Sequence, residues 1–166
     1  ATDLYADECH CLWELIQNAD DNRYSNDVMV PSLELSVQVD PTFGPYIATV
    51  NNELGLSKKD VRAICDVNAS LKGAAQTGHK GIGWKSVFRV SDCPIVISRA
   101  FAFKFDVAVL GRLGLVTPTA LTDEELARLP AVVQEARARG STAMLLPLRS
   151  LGDVAAAEAE LRQVAE

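Results

Sequence analysis

The chain has 166 residues, carries a formal net charge of −6 at pH 7 and is 48% hydrophobic. This length supports one compact domain with its own core, and the acidic balance argues against broad nucleic-acid binding. No apolar run approaches the length of a membrane span and no secretory signal is visible. We therefore expect an intracellular protein, cytoplasmic or nuclear, without a membrane partner.

Four cysteines occur, and none of them forms a C-x-x-C pair. Cys9-His10-Cys11 has the wrong spacing for an ordinary zinc site. Free thiols in a reducing compartment are therefore expected. The chain begins without methionine and inside an apparent helix, which suggests a fragment of a longer protein.

The first predicted helix, at residues 4–22, has one polar and one apolar face. At about 100° per residue, Glu14, Asn18 and Asp21 fall on the polar face. A carboxylate can orient or deprotonate water, and a carboxamide oxygen suits magnesium. This face therefore predicts one wall of a magnesium–nucleotide site, with an ordinary solvated helix face as the alternative. The apolar positions at helical spacing are Leu12, Leu15, Ile16 and Ala19.

The next segments predict a strand pair, a turn and a helix. Residues 33–39 alternate apolar and polar side chains, which is typical of a half-buried strand, and residues 46–50 predict a second strand. Residues 51–57, Asn-Asn-Glu-Leu-Gly-Leu-Ser, follow as a turn. Ser57 is the expected N-cap of a helix at 58–67, with Asp60 in its first turn.

A glycine-rich run follows a small, polar segment at 68–78 that predicts a mobile lid. Glycines let the backbone approach phosphate closely, and amides at a helix start attract anions. The G-x-x-G-x-G spacing is neither the dinucleotide fingerprint nor a Walker loop, and a tight turn before a helix at 85–90 is the alternative. The run consists of Gly78, His79, Lys80, Gly81, Ile82 and Gly83.

The remaining residues predict further strands and helices. Strands are expected at 93–98, 101–109 and 142–148, and helices at 121–129, 130–139 and 154–165. Thr122 and Glu125 predict a capping box for the first of these helices. Interspersed helices and paired strands indicate an α/β (α+β) two-layer sandwich, with helices on one face of a mixed, mostly antiparallel sheet.

The order of three motifs is more specific than any one of them. E-x-x-x-N-x-x-D at 14–21, the glycine turn at 51–55 and G-x-x-G-x-G at 78–83 together resemble the GHKL ATPase superfamily of gyrase, heat-shock chaperone ATPases, histidine kinases and MutL. Three longer sequences resemble its sacsin-like and no-vein-like branch. They are E-L-I-Q-N-A-D-D-N, N-N-E-L-G and G-I-G-W-K-S-V-F-R-V. Gly140-Ser141-Thr142 resembles the threonine-bearing strand that closes the nucleotide pocket. The resemblance covers residues 4–149.

The resemblance implies the Bergerat fold, with an ATP-binding domain at 1–150 and a C-terminal helix at 151–166 that starts a following domain. It implies ATP and magnesium as cofactors, Glu14 as the catalytic general base and Asn18 as the metal ligand. A solvated position at the helix end is the alternative for Asp21. The implied nucleotide-binding residues are Asn18, Asp21, Asn51, Gly55, Gly78, His79, Lys80, Gly81, Ile82, Gly83 and Thr142.

Asn51 departs from the pattern of the superfamily. Most members have D-x-G-x-G, in which the aspartate accepts a hydrogen bond from the adenine amino group. Here Asn51 stands in place of the aspartate and Glu53 in place of the first glycine, while Gly55 keeps the second. Charge-assisted hydrogen bonds are about twice as strong as neutral ones, so we expect weaker adenine recognition.

The resemblance implies magnesium-dependent ATP binding and slow hydrolysis that drive a conformational change in a larger chaperone-like or remodelling protein. The alternative is a nucleotide-binding or vestigial interaction module without turnover. A histidine-kinase catalytic domain is disfavoured because no phospho-acceptor helix is visible. The expected partners are ATP and other domains of a larger protein. The sequence is compatible with both a monomer and a dimer.

Overall fold

The structure is a computed structural model that describes residues 10–69, 84 and 86–165. The helices are α1 His10–Asp20, α2 Lys58–Ala69, α3 Val87–Val90, α4 Val107–Leu110, α5 Asp123–Ala127, α6 Ala131–Ala138 and α7 Leu151–Ala165, with a 3-10 helix at Gly111–Leu115. The strands are β1 Leu33–Asp40, β2 Gly44–Asn51, β3 Ile95–Ser98, β4 Phe101–Lys104, β5 Thr119–Ala120 and β6 Thr142–Pro147.

The six strands form one sheet in the order β1-β2-β6-β3-β4-β5. Each neighbouring pair in it is antiparallel. β6 comes last in the chain but lies between β2 and β3, so the C-terminal part of the chain completes the centre of the sheet. The predicted α+β sandwich class is confirmed.

One face of the sheet carries the larger core. Side chains alternate between the two faces of a strand, and Ile47, Val96 and Leu146 point to this face. They pack in one cluster with Leu12 of α1 and Ala157 of α7. The predicted boundary near residue 150 stays a prediction, and α7 shares the core of the preceding residues.

The opposite face of the sheet is also covered by a helix. Val133 and Ala136 of α6 pack against Tyr46, Ala48 and Leu145. The expectation that helices occupy one face was therefore wrong for α6. The near-continuous apolar runs of the central strands are the reason, because a strand that is buried on both faces needs cover on both sides.

The second strand of the hairpin predicted at 93–109 is shorter than expected. β4 ends at Lys104, and α4 begins after Asp106, whose side chain accepts a hydrogen bond from the Val109 amide at 3.0 Å. The alternating valines at 107 and 109 suggested a strand, but the N-cap aspartate favours a helical turn. The 3-10 helix and β5 were not predicted.

The other predicted elements agree with the structure to within a few residues. The Thr122–Glu125 capping box is present, and Ser57 and Asp60 bond reciprocally at the start of α2. Residues 4–9 of the first predicted helix, the run 78–83 and most of the segment 68–78 lie outside the described residues. Within the part of the chain that the structure describes, no helix is long and apolar enough to cross a membrane.

Candidate functional site

The polar row of α1 lies at the edge of the core. Glu14 and Asn18 are half-buried, whereas Asp21, just past the helix end, is exposed. The fully solvated side of the helix is a different one, and it carries Trp13, Gln17 and Asp20. Glu14 and Asn18 are therefore less exposed than that side of the helix, while Asp21 agrees with the solvated alternative.

Glu14 has a carboxylate oxygen in an unusual position. Its Oε2 atom is buried and has no hydrogen-bond partner among the described residues. Buried polar atoms nearly always have such a partner, so an exception requires an explanation. The Asn18 carboxamide, one helical turn away, is likewise not hydrogen-bonded to any other described residue. Among the described residues, neither Glu14 Oε2 nor the Asn18 carboxamide is thus engaged in a structural hydrogen bond.

The residues that follow the glycine-rich run pack beside α1. Trp84 is buried in the same cluster as Leu12, and its ring meets that of Phe105 edge-on at 5.8 Å. Arg149 holds the end of α3: its guanidinium donates to both oxygens of Asp92, at 3.1 and 2.9 Å, and to the carbonyl oxygens of residues 88 and 89. Trp84 and α3, which follow the run in sequence, are therefore held beside α1.

Three polar side chains form a row across the end of the sheet. Asn51 of β2 pairs with Thr142 of β6 in register, and Ser98 of β3 lies next to Thr142 with an oxygen–oxygen distance of 2.8 Å. Cross-strand neighbours point to the same face. By alternation, this is the face that packs against α1, so Asn51 and Thr142 lie on the same side of the sheet as Glu14 and Asn18.

Asn51 is hydrogen-bonded on all sides within the protein. Its Oδ1 accepts from Asn22 Nδ2 at 2.9 Å, and its Nδ2 donates to Tyr24 Oη at 2.9 Å and to the Ser32 carbonyl oxygen at 2.7 Å. The Tyr24 hydroxyl in turn donates to the Ala19 carbonyl oxygen at 2.7 Å. Asn51 thus ties the end of α1 to the sheet. Its predicted contact with the base stays a prediction.

A chain of hydrogen bonds leads from the turn after β2 to a carboxylate. The Leu56 amide donates to Ser98 Oγ at 2.8 Å, and Thr142 Oγ1 donates to Glu53 Oε1 at 2.7 Å. Because Thr142 uses its proton for Glu53, the bond between the hydroxyls must be donated by Ser98. Burial raises the pKa of Glu53, and the Thr142 hydroxyl partly opposes this.

Gly55 occupies a position in this turn that other residues would not fit. Its φ of +89° is in the region that favours glycine. An added Cβ would lie 2.6 Å from the Arg99 side chain, which comes from the turn between β3 and β4. The glycine thus lets Arg99 cover the turn that carries Glu53. The charge of Arg99 opposes, but does not cancel, the rise that burial causes in the pKa of Glu53.

The structure brings together part of the predicted site. Asn51 and Thr142 lie in one row with Gly55 nearby, and the end of α1 is bonded to that row. The predicted phosphate-binding residues Gly78, His79, Lys80, Gly81, Ile82 and Gly83 lie outside the described residues. Three further buried polar atoms have no hydrogen-bond partner among the described residues: both side-chain polar atoms of Asn68, near the end of α2, and Trp84 Nε1, directly after the run.

Sequence reasoning missed several residues of this region. Glu53, Ser98, Asn22 and Tyr24 all bond to predicted site residues. Glu53 could have been found from the sequence, because it is the one carboxylate inside the glycine turn. No sequence pattern indicates Ser98 or Tyr24, since their contacts depend on strand order and on the path of the loop after α1.

A magnesium ion at this place would have few protein ligands. Within the described ranges, no group of three or more His, Cys, Asp or Glu side chains could hold a metal ion. Magnesium in phosphate sites usually takes only one or two protein ligands and completes its shell with phosphate oxygens and water. The half-buried carboxamide of Asn18 could supply one such ligand, and its role as metal ligand stays a prediction.

Comparison with known proteins identifies relatives of this chain. Residues 3–110 match the family model described as Sacsin domain. The chain is 37% identical over 156 residues to Protein NO VEIN of Arabidopsis thaliana, an alignment that covers 90% of this chain and 6% of that protein. It is 33% identical over 104 residues to Sacsin of Homo sapiens, which covers 57% of this chain and 2% of Sacsin. The chain thus spans a small fraction of either relative.

Proposed function

The chain belongs to the Sacsin domain family, and from that premise we propose that it binds ATP with magnesium and hydrolyses it slowly to ADP and phosphate. The nucleotide state would drive a conformational change in a larger chaperone-like or remodelling protein. The GHKL-type order of motifs supports the chemistry, and the far greater length of the two relatives supports the larger context.

The observation that carries this proposal is the environment of Glu14. A structural carboxylate is normally solvated or paired, whereas Glu14 Oε2 is buried and has no hydrogen-bond partner among the described residues. A general base needs a carboxylate that is fixed in place and still able to accept a proton. Asn18 follows on the same helical row.

The residues take the following roles in the proposed reaction. Glu14 orients a water molecule and accepts its proton as the water oxygen attacks the γ-phosphorus; the bond from that phosphorus to the β–γ bridging oxygen breaks, and ADP leaves. Asn18 would supply its side-chain oxygen to magnesium. When bound, the metal neutralises charge on the phosphate oxygens.

The remaining predicted residues would position the nucleotide. Backbone amides of the run 78–83, with Lys80 and His79, would hold the phosphates. Trp84 and Arg149 support this part of the proposal, because they hold the residues that follow the run beside α1. Thr142, Gly55 and the carboxylate of Glu53 would border the base.

A second candidate is a nucleotide-binding or interaction module without turnover. The hydrogen bonding of Asn51 favours it, because the residue in place of the adenine-reading aspartate is engaged by Asn22, Tyr24 and Ser32. A site in this state could retain phosphate binding and lose part of its base recognition.

Calorimetric titration with ATP, ADP and GTP, each with and without magnesium, tests the proposal. We expect ATP binding that depends on magnesium, together with slow phosphate release. Binding without phosphate release would favour the second candidate. If none of the three nucleotides binds, both functions are wrong.

A further inference from the structure

Glu160 is a carboxylate in a place that suits a hydrophobic residue. It lies on α7, is 5% exposed, and is the only charged side chain among the buried residues that the structure describes. Burial of a carboxylate is unfavourable unless it is hydrogen-bonded, and it raises the pKa of Glu160 to about 7. A leucine would fill the same space without that cost, so packing alone does not account for Glu160.

The hydrogen bond of Glu160 reaches the main chain of another helix. Its Oε1 accepts from the Leu12 backbone amide at 3.1 Å, a buried contact between residues 148 positions apart. Ala157, about one turn earlier on α7, packs in the same cluster as Leu12. Its small side chain lets the two helices approach closely. The contact therefore fixes α7 to the backbone of α1.

This anchor lies close to Glu14. Leu12 precedes Glu14 by two residues, which is about 3 Å along a helix axis and about 200° around it, so the link between them is the backbone of α1. Burial is the main cause that raises the pKa of Cys11 to about 12, and the charges of Glu160 and Glu14 add to it, while Arg89 of α3 opposes it. Both carboxylates and Arg89 therefore lie in the neighbourhood of one buried thiol.

We propose that Glu160 is a positioning residue: by accepting the Leu12 amide it sets the axial position and rotation of α1, and through α1 the placement of Glu14. The proposal rests on the proposed function, since Glu14 is its general base. Movement of α7 would thereby be coupled to the catalytic helix. A buried hydrogen bond to main chain suits this task, because it defines a direction and a distance that apolar packing does not.

The test compares Glu160→Leu with Glu160→Gln in the 166-residue chain at pH 8, by ATP titration and single-turnover phosphate release. Glu160→Leu removes the acceptor, and we expect a loss of turnover of about tenfold or more, since small misplacements of catalytic groups are costly. The ATP dissociation constant should change less than turnover does, because Glu14 acts in the transition state, while any shift of Asn18 on the same helix affects binding. Glu160→Gln keeps an acceptor oxygen and should restore turnover to within about threefold.

Glu158→Leu is the matched control, because Glu158 is exposed on the same helix; it should leave both quantities unchanged. Amide hydrogen exchange at Leu12 gives a readout without turnover: exchange should be faster in Glu160→Leu and unchanged in Glu160→Gln. Full turnover and unchanged exchange in Glu160→Leu would overturn the role of Glu160 and leave the proposed function untouched. Parallel losses of affinity and turnover without rescue by glutamine would show a merely structural role. A wild-type chain that binds no ATP would overturn the proposed function and the inference together.

Discussion

At the scale of single residues, Asn18 and Gln17 differ in exposure although they are neighbours on α1. Asn18 is half-buried on the row of Glu14, and Gln17 is exposed on the solvated side. We expect Asn18→Ala to weaken magnesium-dependent ATP binding by about tenfold, while Gln17→Ala changes nothing, because one ligand of the metal is lost only in the first variant. Titration with and without magnesium measures this. Equal affinities in the two folded variants would remove Asn18 from the site.

Glu14 should matter for hydrolysis and not for binding. A group that acts mainly in the transition state lowers turnover when it is removed and leaves ground-state affinity nearly unchanged. Glu14→Ala should therefore bind ATP as the wild type does and lose about a hundredfold or more in phosphate release, a typical share for general-base catalysis. Asp20→Ala, an exposed carboxylate on the same helix, is the control. Unimpaired release in Glu14→Ala would refute the assignment of Glu14 as general base.

Asn51, a predicted site residue, forms hydrogen bonds that hold the fold together. The sequence alone suggests that Asn51→Asp should tighten ATP binding, because it restores the charge of the superfamily pattern. In the structure, aspartate would lose both donors of Asn51 and place an oxygen against the Ser32 carbonyl.

We therefore expect Asn51→Asp to lower the free energy of unfolding by about 1–3 kcal/mol, the usual cost of buried groups left without partners. Urea unfolding is the measurement. Asn52→Asp is the control, because Asn52 donates only once, to the Val30 carbonyl oxygen in an exposed contact. If Asn51→Asp is as stable as the wild type and also favours ATP over GTP more strongly, Asn51 reads the base after all.

At the scale of secondary structure, the elements with local signals were predictable. Caps at Ser57 and Thr122 and the alternation at 33–39 each depend on residues close in sequence, and the structure confirms all three. The helix α4 was missed because two alternating valines suggested a strand, while a single aspartate cap decided the outcome. The position of β6 between β2 and β3 has no local signal, since strand order depends on the whole chain.

The helix α3 has four residues and depends on tertiary contacts for its stability. Arg149 supplies several hydrogen bonds, to Asp92 and to two carbonyl oxygens of that helix. Lysine cannot reproduce this planar fork, so Arg149→Lys should destabilise the chain by about 1–2 kcal/mol in urea unfolding. Arg128→Lys is the control, because its pair with Glu124 is highly exposed and such pairs contribute little. Equal stability of the two variants would show that the fork does not hold α3.

At the scale of the whole molecule, the sequence did not predict how the residues of this region are bonded to one another. The side chain of Thr142 points to the side of the sheet on which Glu14 and Asn18 lie. The chain of bonds from Leu56 to Glu53 could not be predicted, because it joins a loop to two strands that are far apart in sequence. The contact of Glu160 with Leu12 could not be predicted either, because the two residues are 148 positions apart. The sequence indicated α7 as a separate terminal helix.

The same contact predicts how stability varies with pH. Burial raises the pKa of Glu160 from 4.5 to about 7, so the folded state holds a proton that the unfolded state has released at any pH between these values. Stability therefore falls as the pH rises from about 4.5 to about 7 and levels off above that range. Glu160→Gln keeps an acceptor for the Leu12 amide and removes the ionisation. We expect it to match the wild type near pH 4.5 and to exceed it by up to about 3 kcal/mol at pH 8. Urea unfolding across this range is the measurement, with the exposed Glu158→Gln as control. A difference between Glu160→Gln and the wild type that stays constant with pH would show that Glu160 does not titrate in the buried position described here.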